Sequence, residues 1–139
     1  MENKDFILYK GYLWTRIFVM QNCGAIYDLT GYGVTLTISK YIGGPVLQVL
    51  TVGNGIVIDV VAGTATATVT GEQSDAYDTS GMPIRGVTEF YGPSCCDCGP
   101  NEVDTQIGPT GVYDLFLTDP MGNDQAPLIG GLIQIFSAV

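Results

Sequence analysis

The feature that most constrains the fold is a stretch, residues 111–118, in which large apolar side chains recur at every second position. The side chains on this apolar face are Tyr113, Leu115 and Leu117. A period of two is the pleat of a β-strand with one buried face. Residues 119–122 have proline second and glycine fourth, as in a β-turn. The sequence therefore predicts a strand, a tight turn and a returning strand at 128–136, where Gly130-Gly131 indicates a bulge or a close backbone approach.

Strand character recurs along the rest of the chain. The further predicted strands are 12–21, 34–38, 46–51, 56–60 and 64–70. Valine and threonine are common in them and glycines separate them, which is typical of short strands joined by tight turns. A single helical turn is predicted from Thr70 to Tyr77, because Thr70 and Gln73 have the spacing of a capping box. We therefore predict one all-β domain over residues 1–139.

The start of the predicted strand at 111–118 is similar to the entrance of strand F in immunoglobulin-type sandwiches. In those domains a tyrosine hydroxyl bonds to upstream backbone, and a core residue follows two positions later. Tyr113 and Leu115 stand at the corresponding positions. The resemblance implies an immunoglobulin-like antiparallel β-sandwich of about seven to eight strands.

Two segments fall outside this predicted sandwich. Residues 1–10 form an N-terminal arm with an apolar end, and such a terminus often docks on a neighbour or frays. Between residues 78 and 110 the periodicity is absent, while glycine, proline and acidic residues are frequent. A loop of this length inside a compact domain is uncommon and is usually functional or disordered. We therefore predict a long acidic insertion loop at 78–110, before the penultimate strand.

The charge of the chain limits its partners. Charged residues make up 14% of the sequence, and the net charge is −9 with only five Lys and Arg residues. Nucleic acids and anionic membrane surfaces require clustered basic residues, so neither is an expected partner. No segment has the length of a membrane span, and the first residues lack a secretory signal, so we expect synthesis in a cytoplasm. So few charges indicate a subunit that associates, with a homo-oligomer expected.

Interface candidates are large apolar side chains in the first long strand, in the arm and in the insertion. Trp14, Phe18 and Met20 share one face of the first long strand, and the opposite face is also apolar. Either that strand is covered on both sides within its own domain, or the Trp14 face contacts another subunit, since tryptophan is enriched at such contacts. The remaining candidates are Phe6 in the arm and Phe90 and Tyr91 in the insertion.

The cysteines are the main candidates for a metal site. Cys95, Cys96 and Cys98 lie close together, and Cys23 can supply a fourth ligand for zinc. Structural zinc sites favour cysteine pairs separated by two residues, and this cluster lacks that spacing. A disulfide from Cys23 to the cluster and free thiols are the alternatives. We predict no metal and no cofactor.

Other polar residues give no recognisable site for chemistry. Asp97, Asn101, Glu102 and Asp104 do not match a calcium-loop template. The chain has no histidine, so the Ser-His and Cys-His pairs of hydrolases are not available. Asp114 and Asp119 are explained by strand-edge and turn positions. We predict that the protein is not an enzyme.

An ordered series of short motifs resembles a β-sandwich domain of tailed-bacteriophage structural proteins, and is similar to the N-terminal domain of baseplate upper proteins. The segments that carry the resemblance are 27–32, 34–38, 43–47, 55–59, 62–64, 111–115 and 118–120. It implies an assembly or adaptor subunit of the neck, tail, baseplate or capsid surface of a virion, made in the host cytoplasm. The implied partners are other virion proteins and copies of the chain itself. In that family the region before Gly-x-Tyr-Asp-Leu is normally short, so the insertion departs from the pattern.

A second function remains open. An immunoglobulin-like domain can instead recognise a host surface or a glycan through its loops. Sugar sites usually need exposed aromatic side chains, and the insertion offers Phe90 and Tyr91. The two functions differ in whether the partner is a protein subunit or a saccharide.

Overall fold

The computed structural model describes residues 2–22, 25–26, 28–91 and 102–137. Within these residues the chain forms twelve strands and one short helix. The strands are β1 (Glu2–Asn3), β2 (Phe6–Lys10), β3 (Trp14–Val19), β4 (Gln21–Asn22), β5 (Ala25–Ile26), β6 (Gly33–Ser39), β7 (Val46–Val52), β8 (Gly55–Asp59), β9 (Thr64–Val69), β10 (Ile84–Tyr91), β11 (Glu102–Thr118) and β12 (Ile129–Ser137). The helix α1 spans Gly71–Asp75. The all-β prediction is confirmed, and no helix of the described residues is long and apolar enough to cross a membrane.

Eight of the described strands form a nearly closed sheet in the order β1-β12-β11-β6-β7-β8-β9-β3. β2 also pairs with β12 and β10 with β11, while β4 and β5 form a separate two-stranded sheet. Most neighbours are antiparallel, as predicted, but β1 and β2 both run parallel to β12. β7 and β8 are joined by only two residue pairs, also parallel. Among the described residues β2 and β3 do not pair with each other, which leaves a seam between the two ends of the sheet.

The side chains on the inner face of the sheet make one continuous core. Alternating positions in β6, β9 and β11 are almost fully buried, which confirms their predicted pleat. The buried alternating side chains are Val34, Leu36, Ile38, Ala65, Ala67, Val69, Tyr113, Leu115 and Leu117. The hydroxyl of Tyr113 donates a hydrogen bond to the backbone carbonyl of Lys4. Tyr113 therefore bonds to upstream backbone as predicted, but the acceptor lies at the far end of the chain.

The prediction that Trp14, Phe18, Met20 and Phe6 contact another subunit is wrong, because all four are at most 6% exposed within this chain. The Phe6 ring lies 5.8 Å from Trp14 and 5.4 Å from Phe18, centroid to centroid, in edge-to-face contacts. Such aromatic pairs favour burial beyond the area that they remove from water. The opposite face of β3 is the exposed one, with Leu13 and Ile17 at 70% and 60%.

The described part of the N-terminal arm at 1–10, residues 2–10, is part of the sheet, so the expectation that the arm frays or docks on a neighbour is corrected for these residues. β1 and β2 pair with β12 in a single register, from Glu2 opposite Ile129 to Lys10 opposite Ser137. Between them, the Asp5 carboxylate accepts a hydrogen bond from the amide of Leu132. A Cβ at Gly131 would lie 2.3 Å from the Lys4 carbonyl oxygen, so this position requires glycine. The predicted close backbone approach at Gly131 is confirmed.

The predicted loop at 78–110 is largely a β-hairpin. β10 pairs antiparallel with the first half of β11, from Ile84 opposite Pro109 to Tyr91 opposite Glu102. Val87 and Glu89 are buried, at 1% exposure each, so the hairpin packs on the rest of the fold instead of projecting as a loop. The side chain of Gln106 donates to the hydroxyl of Tyr9, which places the hairpin against the side of β2 that faces away from the core.

An ion pair between Arg16 and Glu89 connects this hairpin to the two strands at the seam, β2 and β3. Arg16 on β3 donates to both carboxylate oxygens of Glu89, at 2.9–3.1 Å. The amide of Ile7 on β2 donates to the same carboxylate at 3.1 Å. The Arg16 guanidinium also lies over the rings of Phe6 and Trp14, 5.9 and 5.3 Å from their centroids. Glu89 thus connects the two strands that do not pair.

The short helix and the turn after β11 form as predicted. Thr70 and Gln73 make a reciprocal capping box at the start of α1. The amide of Gly122 donates to the carbonyl of Asp119, which closes the turn. The Asp119 carboxylate accepts amide hydrogens from Asn123 and Met121, and these bonds lower the pKa of Asp119.

Candidate functional site

An open groove of about 450 Å³ crosses the outer face of the sheet where β6, β11 and β12 lie side by side. A turn after β6, residues 41–43, forms one wall. The polar side chains that line the groove are Asn3, Thr37, Ser39, Tyr41 and Asp114. The apolar ones are Ile42, Val112, Pro127 and Leu132. We call this feature the Asp114 groove.

The strand register explains why a groove forms at this place. Asp114 lies on the outer face of β11, directly opposite Thr37 of β6 and Gly130 of β12. Side chains in such a cross-strand row have Cβ atoms about 4.5–5.5 Å apart. Gly130 contributes no side chain to the row, so the space beside the Asp114 carboxylate stays open. Gly131, the next residue of β12, lines the groove.

One oxygen of the Asp114 carboxylate lacks a hydrogen-bond partner. Its Oδ1 atom is buried, and none of the described residues donates to it. Burial raises the pKa of Asp114 above its ordinary value of 3.8, because desolvation disfavours the charged form. The groove thus holds a partly desolvated carboxylate beside hydroxyl groups, which is an arrangement suited to accept hydrogen bonds from a ligand.

Replacing Asp114 by asparagine should stabilise the free protein at pH 7. The substitution removes a desolvated charge that has an unpaired oxygen; because the residue is partly exposed, the gain is on the order of 0.5 kcal/mol. The folded-state pKa is raised, so the penalty is fully present above that pKa and disappears as the pH falls below 3.8. Urea unfolding of both proteins at several pH values measures the difference. A variant that is less stable at pH 7 would show that Asp114 is stabilised by its surroundings.

The sequence assigned Asp114 to a strand edge, and the structure corrects this assignment, because β11 has a neighbour on each side at this position. The signal for the groove was present in the sequence as an acidic residue in a regular strand and a pair of glycines in the next strand. Only the register places them opposite each other.

No family model and no curated protein matches the chain. The assignment of a function therefore rests on the surfaces of the molecule.

A second surface is the outer face of three neighbouring strands, β3, β9 and β8. Ile17 and Val57 lie on either side of Thr66 in one cross-strand row, and they are 60% and 71% exposed. Leu13, at 70%, extends the apolar surface along the line of β3. We call Leu13, Ile17 and Val57, with the threonines between them, the apolar face. It lies on the opposite side of β3 from the predicted Trp14 face.

The apolar face carries almost no charge. The outward positions of the three strands are Thr15, Ile17, Val19, Gly55, Val57, Asp59, Thr64, Thr66 and Thr68. Asp59 is the one charged residue among them, and its carboxylate accepts amide hydrogens of the turn that follows β8. In a chain of net charge −9, such a surface lets two copies approach with less repulsion than a charged one.

The other predicted site residues lie mostly outside the described part of the chain. This holds for Cys23, Cys95, Cys96 and Cys98, so the predictions about metal, disulfide and free thiols stay predictions. Asp97 and Asn101 also lie outside it. Phe90 and Tyr91 occupy backbone positions at the end of β10, opposite Val103 and Glu102 of β11.

Proposed function

We propose that the protein is a structural subunit of a tailed-bacteriophage virion, which associates with copies of itself and with other virion proteins. The proposed location is the neck, tail, baseplate or capsid surface, after synthesis in the host cytoplasm. No catalytic residue and no cofactor enter this proposal. The observation that carries the proposed association is the apolar face, a nearly uncharged surface on an otherwise acidic chain, and the proposed virion setting rests on the sequence resemblance.

The architecture is compatible with this proposal at a finer level. We propose that the sheet is equivalent to an immunoglobulin-like sandwich with two layers, one containing β12, β11, β6 and β7, the other containing β8, β9 and β3. In support, the two layers are joined by only two residue pairs at one side. At the other side the Arg16–Glu89 pair spans a seam that has no strand pairing among the described residues.

The size of the apolar face indicates how it acts. Strands of six residues are about 20 Å long, and three of them span about 14 Å, which gives roughly 300 Å². A stable pairwise interface needs about 800 Å² from each partner. The face alone therefore supports a weak contact, and a symmetric assembly strengthens such contacts because several act together.

The substitution Ile17→Asp should weaken self-association at least tenfold and leave the fold intact. An aspartate places a negative charge in the middle of the face on both copies, while Ile17 contributes little to the core because it is mostly exposed. Sedimentation equilibrium over a range of concentrations measures the association constant, and native mass spectrometry of the reduced protein reports the oligomer and any bound metal.

Met121→Asp is the matched control, since it adds the same charge at a highly exposed apolar residue of a different turn. It should associate like the unmodified protein. Equal association of all three proteins would contradict a contact through the apolar face. A monomer that retains one zinc ion would instead move the proposed function to the cysteine cluster.

A further inference from the structure

We propose that the Asp114 groove binds an arginine side chain of a neighbouring protein that is not a copy of this chain. This inference rests on the proposed function for the source of the arginine, and it adds the chemistry by which the partner is recognised. The argument depends on the unpaired carboxylate oxygen, on the composition of the walls and on the distribution of basic residues.

The Asp114 carboxylate lines the groove, and the described residues of this chain satisfy it incompletely. Its Oδ1 is buried without a hydrogen bond among the described residues, and a buried acceptor left unsatisfied is costly. A cationic donor in the groove compensates the charge of the carboxylate as it donates to it, and hydrogen bonds between ionised groups are about twice as strong as neutral ones. A neutral donor supplies the hydrogen bond alone.

The walls of the groove favour a guanidinium group on an aliphatic stem. Thr37 lies in the same cross-strand row as Asp114, and Ser39 follows two residues later on the same face of β6, so both hydroxyl groups line the groove. A guanidinium has five N–H donors in a plane and can donate to a carboxylate and a hydroxyl together. The apolar side chains of Val112 and Leu132 can contact the methylene groups of the stem, which remain attached to the charged end.

The ring of Tyr41 offers one more contact. Tyr41 lines the groove and is 44% exposed, so part of its ring is open to a ligand. A guanidinium is attracted to the face of an aromatic ring. A carboxylate, hydroxyl groups and an aromatic ring together match arginine better than they match a compact ammonium group.

The arginine is expected to come from a different protein because basic residues are scarce here. The chain has five of them. Arg16 is paired with Glu89, Lys40 with Asp78, and the Lys10 ammonium donates to a backbone carbonyl. The other two are Lys4 and Arg85, and Arg85 is exposed, so the choice between a second copy and another protein rests on the net charge. The net charge of −9 also disfavours a second copy and favours a basic partner.

The test is a titration of the ¹⁵N-labelled full chain with N-acetyl-arginine amide at low ionic strength, followed by amide chemical shifts. The uncharged isostere N-acetyl-citrulline amide is the ligand control. We expect the arginine probe to shift the amides of Thr37, Gly130 and Gly131, and to bind at least tenfold more tightly than the citrulline probe. The variant Asp114→Asn should lose at least tenfold in affinity for the arginine probe.

Glu72→Gln is the matched control variant, because it removes one negative charge at an exposed position of α1 and should bind like the unmodified protein. Equal binding of the two probes, or undiminished binding to Asp114→Asn, would overturn the inference. So would a neutral monosaccharide that shifts the same amides more strongly, which would identify the groove as a glycan site. The titration uses the free chain, so its failure is distinguishable from a failure of the association test.

Discussion

Replacing Arg16 by methionine should cost the folded protein about 3–5 kcal/mol, because it leaves the Glu89 carboxylate buried without its countercharge. Glu89 is 1% exposed, and the Arg16 side chain is 25% exposed. Among the described residues, the donor that remains to that carboxylate is the amide of Ile7, which is neutral. The lost interaction connects β10 with β2 and β3 at the seam, so these three strands should become less stable together.

Denaturation with urea measures the loss in free energy of unfolding, provided that the transition stays two-state. Amide hydrogen exchange adds a local measurement: the Ile7 amide should exchange faster in Arg16→Met, since its acceptor is no longer held in place.

Two further variants distinguish the cost of an unpaired buried charge from the cost of removing the arginine side chain. In the double variant Arg16→Met, Glu89→Met both charges are gone, and most of the stability should return, because an apolar pair can replace a buried ion pair. Lys40→Met breaks the more exposed pair with Asp78 and should cost much less stability than Arg16→Met. If Arg16→Met cost no more than Lys40→Met, the ion pair would not hold the seam.

This ion pair also explains why the hairpin could not be predicted. Arg16 and Glu89 are 73 positions apart in sequence, and nothing local to Glu89 indicates that an acidic residue there is buried. The two strands of the hairpin contain Gly86, Gly108 and Pro109, which obscure the alternating pattern of a strand. Because acidic and turn-forming residues are frequent at 78–110, the sequence predicted a loop there. Long-range contacts instead produce the paired strands β10 and β11.

The strands with one polar face were predictable for the opposite reason. In β6, β9 and β11 every second residue is apolar, so the pleat alone decides which side chains are buried. The capping box of α1 and the turn at Asp119 also depend on residues within four positions of each other. Local chemistry is sufficient for such elements.

The surfaces required the complete topology. The Asp114 groove brings together β6, β11 and β12, and its open space depends on Gly130 standing opposite Asp114. The parallel pairing of the N-terminal strands with β12 joins the two ends of the chain, and no local pattern specifies a parallel partner. The alternation within β11 predicted that Asp114 lies on the outer face of the strand. It did not predict which residues of neighbouring strands lie beside Asp114.

The sequence did not show which face of the first long strand is buried, because both faces are apolar. Substitutions of two adjacent residues on opposite faces can test this. Phe18 is 1% exposed and Ile17 is 60% exposed. Phe18→Ala should destabilise the fold by about 3–5 kcal/mol, since it leaves a cavity beside the rings of Phe6 and Tyr113. Ile17→Ala should change stability by less than about 1 kcal/mol, because the side chain is already largely in water.

Association should respond in the opposite way. Measured well below the unfolding midpoint, Phe18→Ala should self-associate like the unmodified protein, whereas Ile17→Ala should associate more weakly. Thermal unfolding and sedimentation equilibrium on the same samples give both quantities. A shift of one residue in the register of a strand exchanges its two faces, so the reverse result, with Phe18→Ala stable but monomeric, would require the other register of β3. The two neighbouring substitutions thus test which face of β3 packs in the core and which face meets a partner.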